Sequence, residues 1–248
     1  MEEDGFFTIL NTVDSTNNYA MARVHNGLAK HGMVWFAHEQ TAGKGQRGKT
    51  WIMEKGKNIA MSLVLEPERL QISNQFHLSA AVALSCFEFF SGHAGEETKI
   101  KWPNDLFWRD RKAGGTLIEN NFLGKAWKWA VVGIGININQ TKFDEYLINP
   151  VSLKQITGKT FNAVDLAKEL QALLMKNLAA QQAPDALMMD YNEQLYKINN
   201  QVTLKKGETA FDTVIKGVTP EGKLMTVDAQ ERQFDFGEVE WVLAENYS

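Results

Sequence analysis

Residues 40–51 read Gln-Thr-Ala-Gly-Lys-Gly-Gln-Arg-Gly-Lys-Thr-Trp, with Gly43, Gly45 and Gly48 set among Lys44, Arg47 and Lys49. Glycine lacks a Cβ, so such a loop can turn its amides toward one point and let a ligand lie close to the backbone. The cations bring fixed positive charge to the same place. This chemistry suits an anion, either a phosphate or a carboxylate about to enter a phosphoanhydride. It is not a Walker loop, because the longer gap between glycines and the closing Gly-Lys-Ser/Thr are missing. A flexible, solvated Lys/Gly turn is the other reading of the same residues. Three glycines also carry high conformational entropy, which predicts a loop that is mobile alone and closes over its ligand.

The flanking segments must deliver this loop. Met33–His38 reads as a buried strand leading to Gln40. Ahead of it, Asp14, Ser15, Thr16, Asn17 and Asn18 precede Tyr19, Ala20, Ala22 and Val24, a pattern for a helix start. Gly27 and Gly32 bracket the turn into the strand. After the loop, Asn58–Leu65 is a second strand, and Ser73 is expected to cap a helix running to about Phe90. Its residues Phe76, Ala80, Ala83, Leu84, Phe87 and Phe90 cover most of the circumference and suit a core helix on a sheet. Thr98–Trp102 and Leu106–Trp108 read as short strands around a turn fixed by Pro103. Gly115–Asn121 and Lys125–Ile138 predict a hairpin closed near Gly124. Gly133 and Gly135 in its second arm mark the approach of a helix or a ligand to the backbone.

Two helices follow, Ala163–Gln181 with Asn162 as cap, and one opened by Pro184 and reaching about Tyr196. From Gln201 the pattern changes to short alternating strands with turns at Lys206-Gly207, Thr219–Gly222 and Gly237, which predicts a small antiparallel barrel or sandwich. The expected division is a catalytic α/β domain over 1–198 and a small β-domain over 199–248.

Composition narrows the class. The chain has 248 residues, 44% hydrophobic and 23% charged, as in ordinary globular proteins. A formal charge of −4 argues against a general nucleic-acid binder. The one cysteine, Cys86, excludes an internal disulfide and fits a reducing, cytoplasmic setting; in its apolar helix it reads as a buried structural thiol. No signal pattern and no membrane-spanning run are visible. No His/Cys/carboxylate cluster has the spacing of a dedicated metal site, so the identity of any metal ligand stays unknown.

Five motifs occur in order: Ser15-Thr16-Asn17, the Gly43–Trp51 loop, Lys101-Trp102-Pro103-Asn104-Asp105, Lys112-Ala113-Gly114-Gly115 and Gly133-Ile134-Gly135-Ile136-Asn137. Together they resemble the biotin protein ligases, from about Val13 to the C-terminus. The Lys-Trp-Pro-Asn-Asp run followed seven residues after Asp105 by Lys-Ala-Gly-Gly is the most specific part. The resemblance implies a domain like the class II tRNA-synthetase core, a mixed sheet with helices, followed by a Src-homology-3-like barrel.

It also implies a two-step ligase. Biotin's carboxylate attacks the α-phosphorus of ATP to give biotinyl-adenylate and pyrophosphate; a lysine of a biotin carboxyl carrier domain then takes the biotinyl group and AMP leaves. A carboxylate attacking a polyanion needs charge neutralisation and in-line holding. By the family match, Lys112 bridges biotin's carboxylate and the α-phosphate, with Arg47 as a second catalytic cation, and Gly114 and Gly115 sit beside them. Ser15, Thr16 and Gln40 hydrogen-bond the ureido ring with backbone near Lys44, and Asn17, Gly43 and Gly45 belong to the same binding set. Trp51, Gly133 and Gly135 wall the thioether ring and tail. Asn104, Asp105 and Asn137 approach the ATP phosphates and Mg²⁺-bound water, with Gln46 and Lys49 on the phosphate side of the loop. The Mg²⁺ is expected to arrive with the nucleotide.

The chain departs from the family's common Gly-Arg-Gly-Arg loop. Lys44 and Gln46 stand at the arginine positions, and the last strand, Glu238–Leu243, lacks a basic residue that some members place against the nucleotide. The nearest rivals are lipoyl and octanoyl transferases; the Lys-Trp-Pro-Asn-Asp and Gly-Lys-Gly-Gln-Arg-Gly pair favours biotin. A DNA-binding repressor with an N-terminal helix-turn-helix is the rival from another class, and the short segment before the first motif and the net charge speak against it. The expected protein acts on a carrier domain, touches neither DNA nor membrane, and is a monomer or homodimer.

Overall fold

The apolar runs of the sequence become the middle of a mixed sheet. The computed structural model describes residues 2–69, 74–180 and 182–243. Strands β1 (Glu2–Asp4), β2 (Phe7–Leu10), β3 (Val34–Ala37), β4 (Ile59–Leu65), β5 (Thr98–Lys101), β6 (Asp105–Trp108), β7 (Arg111–Leu123) and β8 (Ala126–Ile136) form one eight-stranded sheet. Their order is β1-β2-β3-β4-β8-β7-β6-β5. β2 and β3 are parallel, joined through α1 (Thr16–His25), and the other neighbours are antiparallel.

β4 is buried along its whole length because both faces are covered. Its Ile59, Met61, Leu63 and Leu65 join Val132, Ile134 and Ile136 of β8 in a core against α2 (Gln75–Ala94) and α4 (Ala163–Ala179). On the opposite face, Val64 and Val131 pack with Leu10, Trp35 and Ala37 under Ala20 and Val24 of α1. A short helix, α3 (Leu153–Thr157), with a full Ser152/Gln155 capping box, lies between β8 and α4 in sequence.

After α5 (Pro184–Glu193) comes a second sheet, β9 (Gln201–Lys206), β10 (Thr209–Val218), β11 (Leu224–Val227), β12 (Glu231–Phe234) and β13 (Glu240–Trp241). It is five-stranded, in the order β12-β11-β10-β9-β13, and antiparallel throughout. Ala80 and Ala83 of α2, Leu187 and Tyr191 of α5, and Leu204, Ile215, Leu224 and Phe234 of this sheet share a core with Trp102. α2 therefore serves both sheets, which explains why it is apolar around most of its circumference.

Most elements follow the sequence pattern, with ends shifted. Asn74 occupies the N-cap of α2 and accepts from the Phe76 N–H at 2.8 Å, while the expected cap, Ser73, lies outside the described residues. α4 stops at Ala179, and the expected end at Gln181 also lies outside them; α5 ends at Glu193, short of Tyr196. The first hairpin arm is longer than expected and the second shorter, and they close through Gly124 (φ 62°) and Lys125 between the paired Leu123 and Ala126. β1, β2 and α3 were not expected, although the Ser152/Gln155 spacing is a capping-box signal for α3. Cys86 is buried, and burial pushes its thiol up to about 12, as expected of a structural cysteine.

Candidate functional site

Alternation along β4, β8 and β7 builds a floor on the face that carries α1. Paired residues run across it in rows: Val64–Val131–Glu119, then Ser62–Gly133–Leu117, then Ala60–Gly135–Gly115. Side chains shrink from the first row to the last, so the sheet opens into a trough. The space above it is claimed from outside. A Cβ on Gly135 would come within 2.5 Å of Trp51 Cε2, so the indole lies flat on that glycine. A Cβ on Gly133 would stand 2.9 Å from Asn17 Cγ. The strand glycines are thus places where other groups meet the backbone, as their position within an apolar strand predicts.

At one end of the trough, the start of α1 is tied to the segment after β3. Thr16 donates to Gln40 Oε1 from its amide at 2.8 Å and from its hydroxyl at 3.1 Å. Ser62 Oγ reaches Asn17 Oδ1 at 2.6 Å and Thr16 Oγ1 at 2.8 Å. Asn17 Nδ2 donates to Glu119 Oε2 at 2.8 Å, and Lys44 Nζ donates to Glu119 Oε1 at 3.2 Å. Ser15, Thr16 and Asn17 are all buried. Ser15 holds the N-cap position without a side-chain capping bond, so capping is not what this serine does here.

At the other end stands a cation with its own counter-ion. Lys112 Nζ lies 2.7 Å from Asp105 Oδ1. A Cβ on Gly115 would be 2.9 Å from that carboxylate oxygen and 3.7 Å from Lys112 Nζ. The register of β6 against β7 shifts between Leu106 and Phe107, which bulges Ala113 out and turns Lys112 toward Asp105. Asn104 is buried and its amide donates to the Thr116 carbonyl. Asn137 is buried too, but its amide donates to Val151 O at 3.2 Å, tying down the segment before α3. Gly114 meets the Gly135 carbonyl, where a Cβ would sit 2.6 Å away.

The glycine loop closes the side of the trough. Its neck is pinned by Trp51 N–H to Gly43 O at 2.8 Å and Gly45 N–H to Lys49 O at 2.6 Å. Gly43 has no room for a Cβ, which would stand 2.9 Å from Gln40 Nε2. A cleft of about 430 Å³ lies along Ala42–Thr50, lined also by Leu117 and Glu119. Gln46 Nε2 donates to Thr116 O at 3.3 Å; its Oε1 and the Trp51 Nε1 are buried and have no hydrogen-bond partner among the described residues. Arg47 reaches the second sheet. Its guanidinium donates to Gly237 O at 3.0 Å and lies 6.0 Å from the Phe236 ring centre.

Lys101 adds charge beneath. It is half-buried between the rings of Phe107 and Trp241, at 5.4 and 5.2 Å. Burial pushes its ammonium down to about 8; Asp105 opposes that shift, while Lys112 and Lys49 reinforce it. Among the described residues no group of three His, Cys, Asp or Glu could hold a metal ion, and no helix is long and apolar enough to cross a membrane.

The structure therefore brings Ser15, Thr16, Asn17, Gln40, Gly43, Lys44, Trp51, Gly133, Gly135, Gly115, Lys112 and Asp105 around one trough. Sequence reasoning overlooked Glu119 and Ser62. Glu119 shares the parity of Gly115 in β7, and Ser62 is the polar residue in an otherwise apolar run, so both had a period-2 signal. Phe236 and Gly237, some 190 residues from Arg47, had none.

The chain matches the biotin/lipoate A/B protein ligase family over residues 9–137. It is 28% identical over 230 residues to the bifunctional ligase/repressor BirA of Escherichia coli, covering 90% of this chain and 70% of the relative. It is 34% identical over 170 residues to the biotin--[acetyl-CoA-carboxylase] ligase of Paracoccus denitrificans, covering 66% of this chain and 68% of that one. In structure it resembles the biotin protein ligase of Aquifex aeolicus solved with biotin and ATP, at a TM-score of 0.80 and 23% identity over 97% of this chain and 100% of that one.

Proposed function

The chain belongs to the biotin/lipoate A/B protein ligase family, and from that premise we propose that it activates biotin with ATP and transfers it to a lysine of a carboxylase's biotin carrier domain. The observation that carries the reading is the trough: a floor emptied at Gly115 and Gly135, a polar end at Thr16, Asn17 and Gln40, and the Lys112–Asp105 pair at the opposite end. A molecule with a flat polar head, an apolar body and an anionic tail suits that order of surfaces. The ureido ring takes the Thr16/Gln40 end, where Ser15 and Asn17 also lie. The thioether ring lies against Trp51, whose indole is seated on Gly135, and the carboxylate reaches Lys112.

Two anions meet at Lys112, the biotin carboxylate and the α-phosphate. A fixed ammonium there neutralises both and gains strength as the transferring oxygen acquires charge. Asp105 holds the ammonium in place before ligand arrives. Lys44, Lys49 and Lys101 raise the positive potential around the polyphosphate. Asn104, beside Asp105, lies on the nucleotide side. Asp105 is a carboxylate suited to a Mg²⁺ that keeps most of its ligands from phosphate and water. Glu119 supplies the anion that Lys44 pairs with when no ligand carboxylate or phosphate is near. The second sheet reads as a Src-homology-3-like barrel and the boundary as lying near Asn199.

The test is pyrophosphate release from purified protein with ATP and biotin, followed by transfer of labelled biotin to a carrier domain, with lipoate in a parallel arm. Release with biotin and none with lipoate is the expected result. Release with lipoate alone would assign the chain to the other branch of its family.

A further inference from the structure

The glycine loop is held at its tip by the second sheet. Arg47 has left-handed backbone angles (φ 54°, ψ 41°), a conformation unusual for a residue with a long side chain. It sends its guanidinium to the turn after β12, where it donates to the Gly237 carbonyl at 3.0 Å. Gly237 itself has φ 83°, and a Cβ there would lie 2.8 Å from Arg47 Nε, so the guanidinium covers the face of that residue. Phe236 lies beneath the same cation and meets the Trp102 ring edge-on at 5.8 Å. Trp102 in turn donates to the Gly222 carbonyl at 2.9 Å and precedes the segment carrying Asn104 and Asp105. One turn of the second sheet therefore touches both the loop and the β5–β6 turn that leads into Asp105, the partner of Lys112.

We propose that the Phe236–Gly237 turn is a positioning element for the glycine loop: Arg47 latches onto it and thereby sets the loop's geometry for ligand. This rests on the reading of the loop as the phosphate-side wall of the site. The contact is exposed on both sides, which suits a latch that opens and closes rather than a fixed part of the core. It gives Arg47 a task of its own, to hold the loop through Gly237, while Lys44 pairs with Glu119 on β7.

The experiment is a double-mutant cycle in the full chain with Arg47→Ala and Phe236→Ala, Gly237→Ala serving as a third variant that fills the guanidinium's seat. Without ligand, a lysine-specific endoprotease should cut at Lys49 roughly three- to tenfold faster in each single variant, the scale of one lost hydrogen bond. The double variant should cut no faster than the faster single. The KM for ATP should rise by a similar factor with kcat changed less, and the melting temperature should stay close to wild type. Unchanged cleavage in both singles, or a double-variant rate equal to the product of the single effects, overturns the latch. Cleavage needs no substrate, so failure of the biotin reaction would leave this result readable and would count against the proposed function alone.

Discussion

Lys112 Nζ and Asp105 Oδ1 are 2.7 Å apart, directly over the backbone of Gly115. The pair is partly solvated, with the lysine side chain 37% exposed, so its value lies less in stability than in keeping one ammonium aimed at the trough. Lys112→Ala should lower the rate of biotin-dependent pyrophosphate release by about 10²–10³, the range seen when one group that stabilises transition-state charge is removed. Biotin affinity should fall much less. Release within a few-fold of wild type would show that the charge at the reacting centre comes from elsewhere.

The Trp51–Gly135 contact gives the next prediction. In Gly135→Val the new side chain must displace the indole, because even a Cβ would stand 2.5 Å from Trp51 Cε2. β8 keeps its pairing with β4 and β7, so the variant should still fold. Biotin affinity should drop about tenfold or more, by loss of the slot rather than of any hydrogen bond. Calorimetry on the folded variant decides it: an unchanged affinity would mean that biotin does not lie on this strand.

Much of this site was legible because its chemistry is local in sequence. The glycine loop, the Lys101–Asp105 run and the glycines of β8 each announce a backbone that must be approached or a charge that must be placed. Alternation along β4 and β8 then fixes which residues share a face. Long-range side-chain partners left no such trace. Nothing near Arg47 indicates that it ends on Gly237, and the amide of Asn137 turns to Val151 through a loop with no periodic pattern. β1 and β2 were missed because they are only three and four residues long. Ser15 looked like a cap, but its hydroxyl makes no capping bond.

Lys101 provides a pH test. Its folded-state ammonium is pushed down to about 8 from the usual 10.5, chiefly by burial. Between those values the unfolded chain binds the proton and the folded chain does not, so this residue makes stability rise with pH across that window. Below about 8 both states carry the charge and the folded state bears the full cost of burying it. Denaturant titrations at pH 7.5 and 9.5 should therefore show a gain in wild type, relative to Lys101→Met, of at most about 2 kcal/mol, at about 1.4 kcal/mol per pH unit. A difference between the two proteins that stays flat with pH would place the ammonium in a wetter setting.

The last prediction concerns Gln46 and the retention of biotinyl-adenylate, a reactive mixed anhydride that must be kept from water until a carrier lysine arrives. Gln46 Nε2 makes one long contact, 3.3 Å to Thr116 O, and its buried Oε1 has no partner. The side chain, expected on the phosphate side of the loop, has no charge and, among the described residues, no full set of hydrogen bonds. Arg47 does not compensate, because its guanidinium is engaged with Gly237 and Phe236. A guanidinium at position 46 could add a charge-assisted, bidentate contact to the α-phosphate, worth roughly 1.5–3 kcal/mol, so Gln46→Arg should lengthen the intermediate's residence about tenfold or more. Gln46→Gly should shorten it and spread biotin onto bystander lysines. The measurement is a chase: labelled adenylate is formed on the enzyme, excess unlabelled biotin and ATP are added, and bound label is followed. An off-rate in Gln46→Arg equal to wild type would mean that Lys44, Lys49 and Lys112 already hold the phosphate, and that the uncharged residue at position 46 weakens nothing.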